Sequence, residues 1–248
     1  MSDTDEPVLV ETRGKALFII LNRPRALNAQ NQAMREAIVG ALDELDQNPA
    51  LRVGVLTSEG GRAFSAGADL KEISAGSDGG VPARRVPVEQ RPAWIHFRRL
   101  EQVRKPLLAA IDGYAVGGGL EVALLCDIRV ATKSSSFGLP EPRNVGGVAE
   151  VAVHRLSRMI PMGEALYLHL TASTIPARRA YEIGLIQHVA ADREAMFEEV
   201  DRIVGRICEC APDALVWGKL VARNAPTVSV SQSEALLHHL QQARDEGH

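Results

Sequence analysis

This chain of 248 residues has few cysteines and few aromatic residues, and it has no large excess of charge of either sign. Its three cysteines, Cys126, Cys208 and Cys210, are too few and too unevenly spaced for a disulfide framework or a four-ligand zinc site, so we expect no bound metal. A formal net charge of −3 lacks the basic excess that a nucleic-acid partner requires. No apolar run approaches the ~20 residues that span a bilayer, and the acidic residues 1–6 are unlike a targeting peptide. We therefore expect a soluble, cytoplasmic protein that binds neither nucleic acid nor membrane.

The first two thirds of the chain alternate between short apolar strands and helices. Strands are predicted at residues 8–10, 16–21, 53–57, 107–111 and 128–131, and the longest helix at 28–48. This order is typical of an α/β fold in which helices cover a parallel sheet. A stretch at 75–92 without periodicity predicts a mobile, functional loop.

Helices dominate from Pro161 onward. They are predicted near residues 163–170, 177–183, 193–210, 213–224 and 231–244. We therefore divide the chain into an α/β core at 1–160 and a helical region at 161–248. Such a region either docks another subunit or packs against its own core, and the sequence leaves both alternatives open.

In two segments, residues with small side chains or none lie where a strand meets a helix; we call these segments the bare corners. One is Ala-Phe-Ser-Ala-Gly-Ala-Asp-Leu at 63–70, and the other is Gly-Tyr-Ala-Val-Gly-Gly-Gly-Leu-Glu at 113–121. N–H groups at a helix start face negative charge favourably, so two such corners can form an oxyanion hole. The triple glycine has a second explanation, which is close packing of a helix against a strand. Asp69 most simply caps a helix.

Two glutamates follow segments of this kind. Glu121 lies in the first turn of an apolar helix, and Glu141 ends an extended segment beside Pro140 and Pro142. Most glutamates are solvated surface charges, but a buried carboxylate is costly without partners. We therefore predict that both take part in proton transfer, one as acid and one as base.

These motifs resemble those of the crotonase superfamily, the enoyl-CoA hydratase/isomerase family, along nearly the whole chain. Leu-Asn-Arg-Pro-Arg-Ala-Leu-Asn-Ala at 21–29 is similar to its opening motif, 63–70 and 113–121 to its two oxyanion segments, and 137–141 to the segment of its second acid. The resemblance implies a spiral of repeated ββα units with a C-terminal helical trimerisation region. It also implies a homotrimer or a dimer of trimers.

Carried over by residue, the resemblance places the N–H groups of Ala66 and Gly118 on the thioester oxygen of an acyl-CoA. Glu121 is then the base toward a water that adds to C3 of a trans-2-enoyl thioester, and Glu141 is the acid toward C2. The substrate-binding residues are Ala66, Gly67, Ala68, Asp69, Gly118 and Arg25. Arg23 is a second candidate for a CoA phosphate. No cofactor is implied, because coenzyme A is part of the substrate.

The chain departs from the family after the second acid. A Pro-Gly-x-Gly-Gly stretch is usual there, whereas residues 148–152 read Val-Ala-Glu-Val-Ala and a Gly-Gly pair comes earlier, at 146–147. This difference leaves the acyl-chain preference open. We expect Glu150 to be an exposed helix residue rather than a third acid.

Enoyl-CoA hydration is the function that these features favour. An isomerase of the same fold needs only one acid, and a specialised dehydratase would run the same reaction in reverse. A non-catalytic acyl-CoA-binding protein could lose either glutamate, and both are present. Hydration of crotonyl-CoA, followed by its absorbance, distinguishes these alternatives.

Overall fold

The computed structural model describes residues 6–74 and 95–246. The predicted loop at 75–92 lies outside these residues. The strands are β1 (Val8–Arg13), β2 (Ala16–Leu21), β3 (Val53–Ser58), β4 (Ala63–Ser65), β5 (Leu107–Ile111), β6 (Tyr114–Val116), β7 (Ile128–Thr132), β8 (Ser136–Gly138), β9 (Thr174–Pro176) and β10 (His188–Ala190). The helices are α1 (Gln32–Gln47), α2 (Leu70–Ser74), α3 (Ile95–Gln102), α4 (Gly118–Leu125), α5 (Glu141–Asn144), α6 (Glu150–Met159), α7 (Met162–Thr171), α8 (Ala177–Glu182), α9 (Arg193–Glu209), α10 (Pro212–Asn224) and α11 (Val230–Glu246).

Two sheets organise the α/β core. The larger has the order β1-β2-β3-β5-β7-β10, in which only β1 pairs antiparallel with its neighbour. The smaller has the order β4-β6-β8-β9, with β9 antiparallel. Three successive strand pairs (β3 and β4, β5 and β6, β7 and β8) each send one strand to each sheet. In these three pairs the chain crosses from the large sheet to the small one before the next helix begins.

The large sheet is buried on both faces, which explains why its strands are almost continuously apolar. In β2, Leu17, Ile19 and Leu21 face the cluster that contains α1, α3 and α4, while Phe18 and Ile20 face α9. Helix α4 is buried along its length from Gly119 to Leu125. Any charged residue on α4 therefore lies inside the protein.

Several predicted elements have the expected bounds, and others shift for local reasons. β2 and β5 match the prediction. α1 begins at Gln32 rather than at residue 28, because Leu27 and Asn28 are in the left-handed region (φ 51° and 53°) and Asn31 caps the helix by accepting from the Met34 N–H. β1 extends to Arg13 because six residue pairs join it to β2.

The helical region after Pro161 contains two three-residue strands, β9 and β10, that each join a sheet edge. Helix α10 is joined to the chain's own core: Lys219 and Arg223 form ion pairs with Asp127 at 2.7 and 2.8 Å. Packing against the core is therefore observed for this helix. The predicted trimerisation surface stays a prediction. Within residues 6–74 and 95–246, no helix combines the length and hydropathy needed to cross a membrane.

Candidate active site

The first bare corner lies between β4 and α2. Gly67 has φ +87°, a conformation that favours glycine. A Cβ atom there would lie 2.8 Å from the backbone nitrogen of Gly118. The two bare corners therefore contact each other directly, backbone against backbone.

The Ala66 N–H is already in use, which corrects the expected oxyanion pair. It donates to the Leu27 carbonyl oxygen at 3.0 Å. Ala68 is placed differently, because Gln30 pairs with the residues on either side of it: the Gln30 N–H donates to Gly67 O at 2.8 Å, and the Asp69 N–H donates to Gln30 O at 3.3 Å. In a parallel bridge of this kind the N–H of the intervening residue faces the other way. No hydrogen bond within the described part of the chain uses the Ala68 N–H.

The second corner brings a second N–H beside it. Gly117 has φ 56° and ψ −131°, and α4 begins at Gly118, so the Gly118 N–H is one of the donors that a helix start leaves without an internal partner. A Cβ on Gly118 would lie 3.4 Å from Gly67 Cα and 3.5 Å from the Ala68 nitrogen. The N–H groups of Ala68 and Gly118 are therefore neighbours. Such a pair can stabilise negative charge on one oxygen.

The other two glycines of the run are needed for packing. A Cβ on Gly119 would lie 2.1 Å from the Ser65 carbonyl oxygen, and one on Gly117 would lie 2.6 Å from Glu141 Oε1. Both explanations that the sequence left open are therefore represented: close packing at Gly117 and Gly119, and an available donor at Gly118.

Glu121 is buried in the first turn of α4, with 6% of its surface exposed. Its Oε1 accepts the N–H groups of Val151 (3.0 Å) and Ala152 (3.2 Å), which belong to the first turn of α6. Burial raises the pKa of Glu121 to about 7; these two hydrogen bonds oppose the rise, and the charges of Glu141 and Glu150 add to it. A carboxyl group with a pKa near neutrality exchanges a proton readily at neutral pH.

Glu141 opens the short helix α5 on the other side of Gly117. Burial raises the pKa of this half-buried carboxyl group as well. Its Oε2 is buried and has no hydrogen-bond partner in the described part of the chain. An unpartnered buried carboxylate oxygen is unusual in a structural role. Glu141 therefore lies beside the Gly117–Gly118 turn, which carries one N–H of the pair, and its charge acts on Glu121 in the first turn of α4.

The remaining candidates divide into structural and exposed groups. Asp69 caps α2, since its Oδ1 accepts the Lys71 N–H at 3.1 Å, and its Oδ2 pairs with Arg23 at 2.9 Å. Arg23 also donates to the Ala29 carbonyl, so it is held inside the fold. Arg25 is exposed in the short 3₁₀ turn Pro24–Ala26. Glu150 is exposed at the first position of α6, as expected.

A cavity of about 800 Å³ lies elsewhere, between α6, α9 and α10. None of the predicted site residues lines it, and Asp127, one of its two carboxylates, is neutralised by the ion pairs of α10. No cluster of metal-ligating side chains occurs in the described ranges. The paired N–H groups and the two glutamates are thus the arrangement best suited to chemistry.

Known proteins share this fold. The chain matches the family described as enoyl-CoA hydratase/isomerase over residues 11–244. The chain belongs to this family. It is 35% identical to a short-chain-enoyl-CoA hydratase of Clostridium acetobutylicum (86% of this chain, 79% of the relative) and 31% identical to a crotonyl-CoA hydratase of Syntrophomonas wolfei (93% and 86%). The crystal structure of an enoyl-CoA hydratase from Bacillus anthracis superposes with a TM-score of 0.85 at 30% identity, covering 95% of this chain and 90% of that one.

Two features of this enoyl-CoA hydratase/isomerase family member were missed in the sequence. One is that the Ala68 N–H, and not the Ala66 N–H, is without a hydrogen bond in the described part of the chain, which only the pairing with Gln30 reveals. The other is the support of Glu121 by Val151 and Ala152. In the sequence, residues 148–152 were noted only as a departure from the glycine-rich pattern. A helix start supplies unpaired N–H groups, and this could have indicated that the segment can support a carboxylate.

Proposed function

We propose that this protein is an enoyl-CoA hydratase that adds water across the C2–C3 double bond of a trans-2-enoyl-CoA thioester. One observation carries the proposal: two electrostatically coupled carboxyl groups with raised pKa values, buried Glu121 and half-buried Glu141, lie close to a turn whose N–H is beside a second unused N–H. The names of the relatives in Clostridium acetobutylicum and Syntrophomonas wolfei support the same reaction. An isomerase would need only one of the two acids.

The thioester oxygen accepts the N–H groups of Ala68 and Gly118. Glu121, as a carboxylate, takes a proton from water while the water oxygen bonds to C3. The electrons of the double bond move toward C2 and the thioester oxygen, where the two N–H groups stabilise the enolate. Glu141, in its protonated form, delivers a proton to C2; its burial raises the pKa of this carboxyl group. The proton gained by Glu121 balances the one lost by Glu141, and exchange with solvent restores both.

The coenzyme A portion of the substrate is proposed to lie along 66–69 and the opening motif. The backbone of Ala66, Gly67, Ala68 and Asp69 lines the approach to the N–H pair. Arg25, which is exposed in the turn Pro24–Ala26, is proposed as the phosphate partner. Since coenzyme A arrives with the substrate, the mechanism requires no separate cofactor.

The direct test is the ultraviolet absorbance of crotonyl-CoA, which falls when its conjugated double bond is hydrated. Purified protein should lower this absorbance at a rate proportional to its concentration. A parallel assay should offer a 3-enoyl-CoA. Isomerisation of that compound without hydration of crotonyl-CoA would support the isomerase instead, and binding without either reaction would support an acyl-CoA-binding protein.

We also propose that the chain assembles as a homotrimer or a dimer of trimers through the helices after Pro161. Large apolar side chains are exposed on α7 and α8: Met162 (55%), Leu166 (43%), Tyr167 (51%), Leu170 (73%) and Tyr181 (55%). Apolar groups clustered in this way are typical of a contact surface. Light scattering should give at least three times the mass of one chain. A Leu166→Glu, Leu170→Glu variant should dissociate, and a monomeric wild type would overturn the proposal.

A further inference from the structure

Gln30 lies behind the two bare corners and contacts both. Its backbone bonds to Gly67 and Asp69, the residues that flank Ala68. Its side-chain Nε2 donates to Ser65 Oγ at 3.1 Å and to the Gly118 carbonyl oxygen at 3.2 Å. Gln30 is 2% exposed. One buried residue therefore links the segment that carries the Ala68 N–H to the segment that carries the Gly118 N–H.

His96, on α3, determines which way the Gln30 amide faces. The His96 Nε2 lies 2.9 Å from Gln30 Oε1. Both amide hydrogens of Gln30 are used elsewhere and Oε1 can only accept, so the Nε2 atom of His96 carries the hydrogen. Burial, together with the charge of Arg35, lowers the pKa of His96 to about 3, so the imidazole is neutral. Reversing the amide would set Oε1 against the Gly118 carbonyl, and two acceptors would then face each other.

Ser65 completes the brace on the side of the first corner. Its hydroxyl donates to the Asn28 carbonyl at 2.8 Å and accepts the Gly67 N–H at 3.2 Å as well as the Gln30 amide. Its position is thereby tied to the opening motif and to the residue before Ala68. A shift of the Gln30 side chain would be transmitted to Gly67 through Ser65 and to Gly118 directly.

We propose that Gln30 is a positioning residue that sets the separation and direction of the Ala68 and Gly118 N–H groups, and that His96 holds its amide in the required orientation. This inference rests on the proposed function, because it takes these two N–H groups as the ones that bind the thioester oxygen. Neither side chain touches the substrate. Their effect is on how strongly the thioester carbonyl is polarised.

The first test compares Gln30→Met with Gln32→Met. Methionine keeps the length of the side chain and removes its polar contacts; Gln32 is exposed at the start of α1 and contacts Glu36. The probe is butyryl-CoA labelled with ¹³C at the thioester carbonyl, which is saturated and cannot be hydrated. Infrared spectra should show a lowered carbonyl stretch when it binds the wild type or Gln32→Met, and a stretch closer to that of free butyryl-CoA with Gln30→Met.

Crotonyl-CoA kinetics give the second readout. A misplacement of reacting groups by about 1 Å costs on the order of 100-fold, so kcat of Gln30→Met should fall by roughly 10- to 100-fold while KM changes much less. An unchanged carbonyl stretch and kcat in Gln30→Met would overturn the proposal, as would a wild type that does not lower the stretch. The infrared test uses no reaction. Its outcome is therefore separate from failure of the hydratase assignment, which would appear as wild-type polarisation without hydration.

Two variants of His96 test the orienting role and serve as the main test if Gln30→Met does not fold. Glutamine places an amide nitrogen near the position of Nε2 and can donate to Gln30, whereas leucine cannot. His96→Gln should therefore keep the wild-type carbonyl stretch, and His96→Leu should lose it. Equal retention or equal loss in the two variants would overturn the role of His96 as a donor.

Discussion

Glu121 and Glu141 are the same residue type held in two different ways. The region around Glu121 encloses it: α4 is buried on all sides, and the first turn of α6 donates two N–H groups to one carboxylate oxygen. The region around Glu141 leaves one buried oxygen without a partner in the described part of the chain and places the other against Gly117. The pKa values of both carboxyl groups are nevertheless raised by burial, so two different surroundings give the same direction of shift.

The largest expected effect comes from removing either carboxyl group. Glu121→Gln and Glu141→Gln keep the shape of the side chain and remove proton transfer, so each should lower crotonyl-CoA hydration ~100- to 10,000-fold. The double variant should be little worse than either single variant, because the pair acts as a unit. Glu198→Gln, an exposed change on α9, is the control. If only one glutamate matters for turnover, the two regions are not partners and the isomerase alternative gains support.

The next effect tests how the Glu141 region depends on a single glycine. A Cβ at Gly117 would lie 2.6 Å from Glu141 Oε1, and φ +56° disfavours any other residue. Gly117→Ala should displace the carboxylate and lower kcat by about 100-fold, the order expected for a misplacement of about 1 Å. Gly40→Ala is the matched control, since no atom lies within 4 Å and α1 should gain roughly 0.5–1 kcal/mol in stability. Normal turnover in Gly117→Ala would mean that the position of Glu141 is not critical.

The pKa of Glu121 predicts opposite effects of pH on activity and stability. If Glu121 is the base, kcat/KM should rise through pH about 7 and fall roughly tenfold for each unit below it. Between pH 4.5 and 7 the folded protein holds a proton that the unfolded chain releases, so its free energy of unfolding should decrease as pH rises, by at most about 3 kcal/mol.

Denaturant unfolding at pH 5 and pH 8, for the wild type and Glu121→Gln, measures the stability effect. The Glu121→Gln variant should lose this pH-dependent contribution. Its free energy of unfolding should therefore fall less between pH 5 and pH 8 than that of the wild type. Identical pH dependence in both proteins would show that Glu121 does not titrate near neutrality.

The smallest effect removes one donor from the support of Glu121. Val151→Pro deletes the N–H that donates to Oε1, at the second position of α6, where proline is tolerated. The carboxylate loses a stabilising partner, so the acidic limb of the rate profile should move up by about one pH unit, or roughly fivefold in rate at pH 7. Gly163→Pro, at the second position of α7, controls for proline itself. An unmoved limb would mean that the support from α6 is not significant.

Much of the fold could be predicted because these strands and helices form where the local pattern of apolar residues favours them. The bounds of β2 and β5 were predicted because short unbroken apolar runs are typical of strands in a sheet buried on both faces. The buried face of α1, from Met34 to Leu45, follows from its periodicity. β9 and β10 were not predicted, since three residues carry too little pattern and each becomes a strand only by joining the edge of an existing sheet.

The sequence by itself determined the chemical groups of the site: two glutamates, two glycine-rich corners and their order along the chain, from which the family could be identified. Only the tertiary structure decided which N–H groups are available. Ala66 and Ala68 are both alanines in the same bare corner. The Ala66 N–H is bound to the Leu27 carbonyl, whereas the bridge to Gln30 turns the Ala68 N–H outward. The physical reason is that a side chain or an N–H acquires its role from partners distant in sequence, as Glu121 does from Val151 and Ala152.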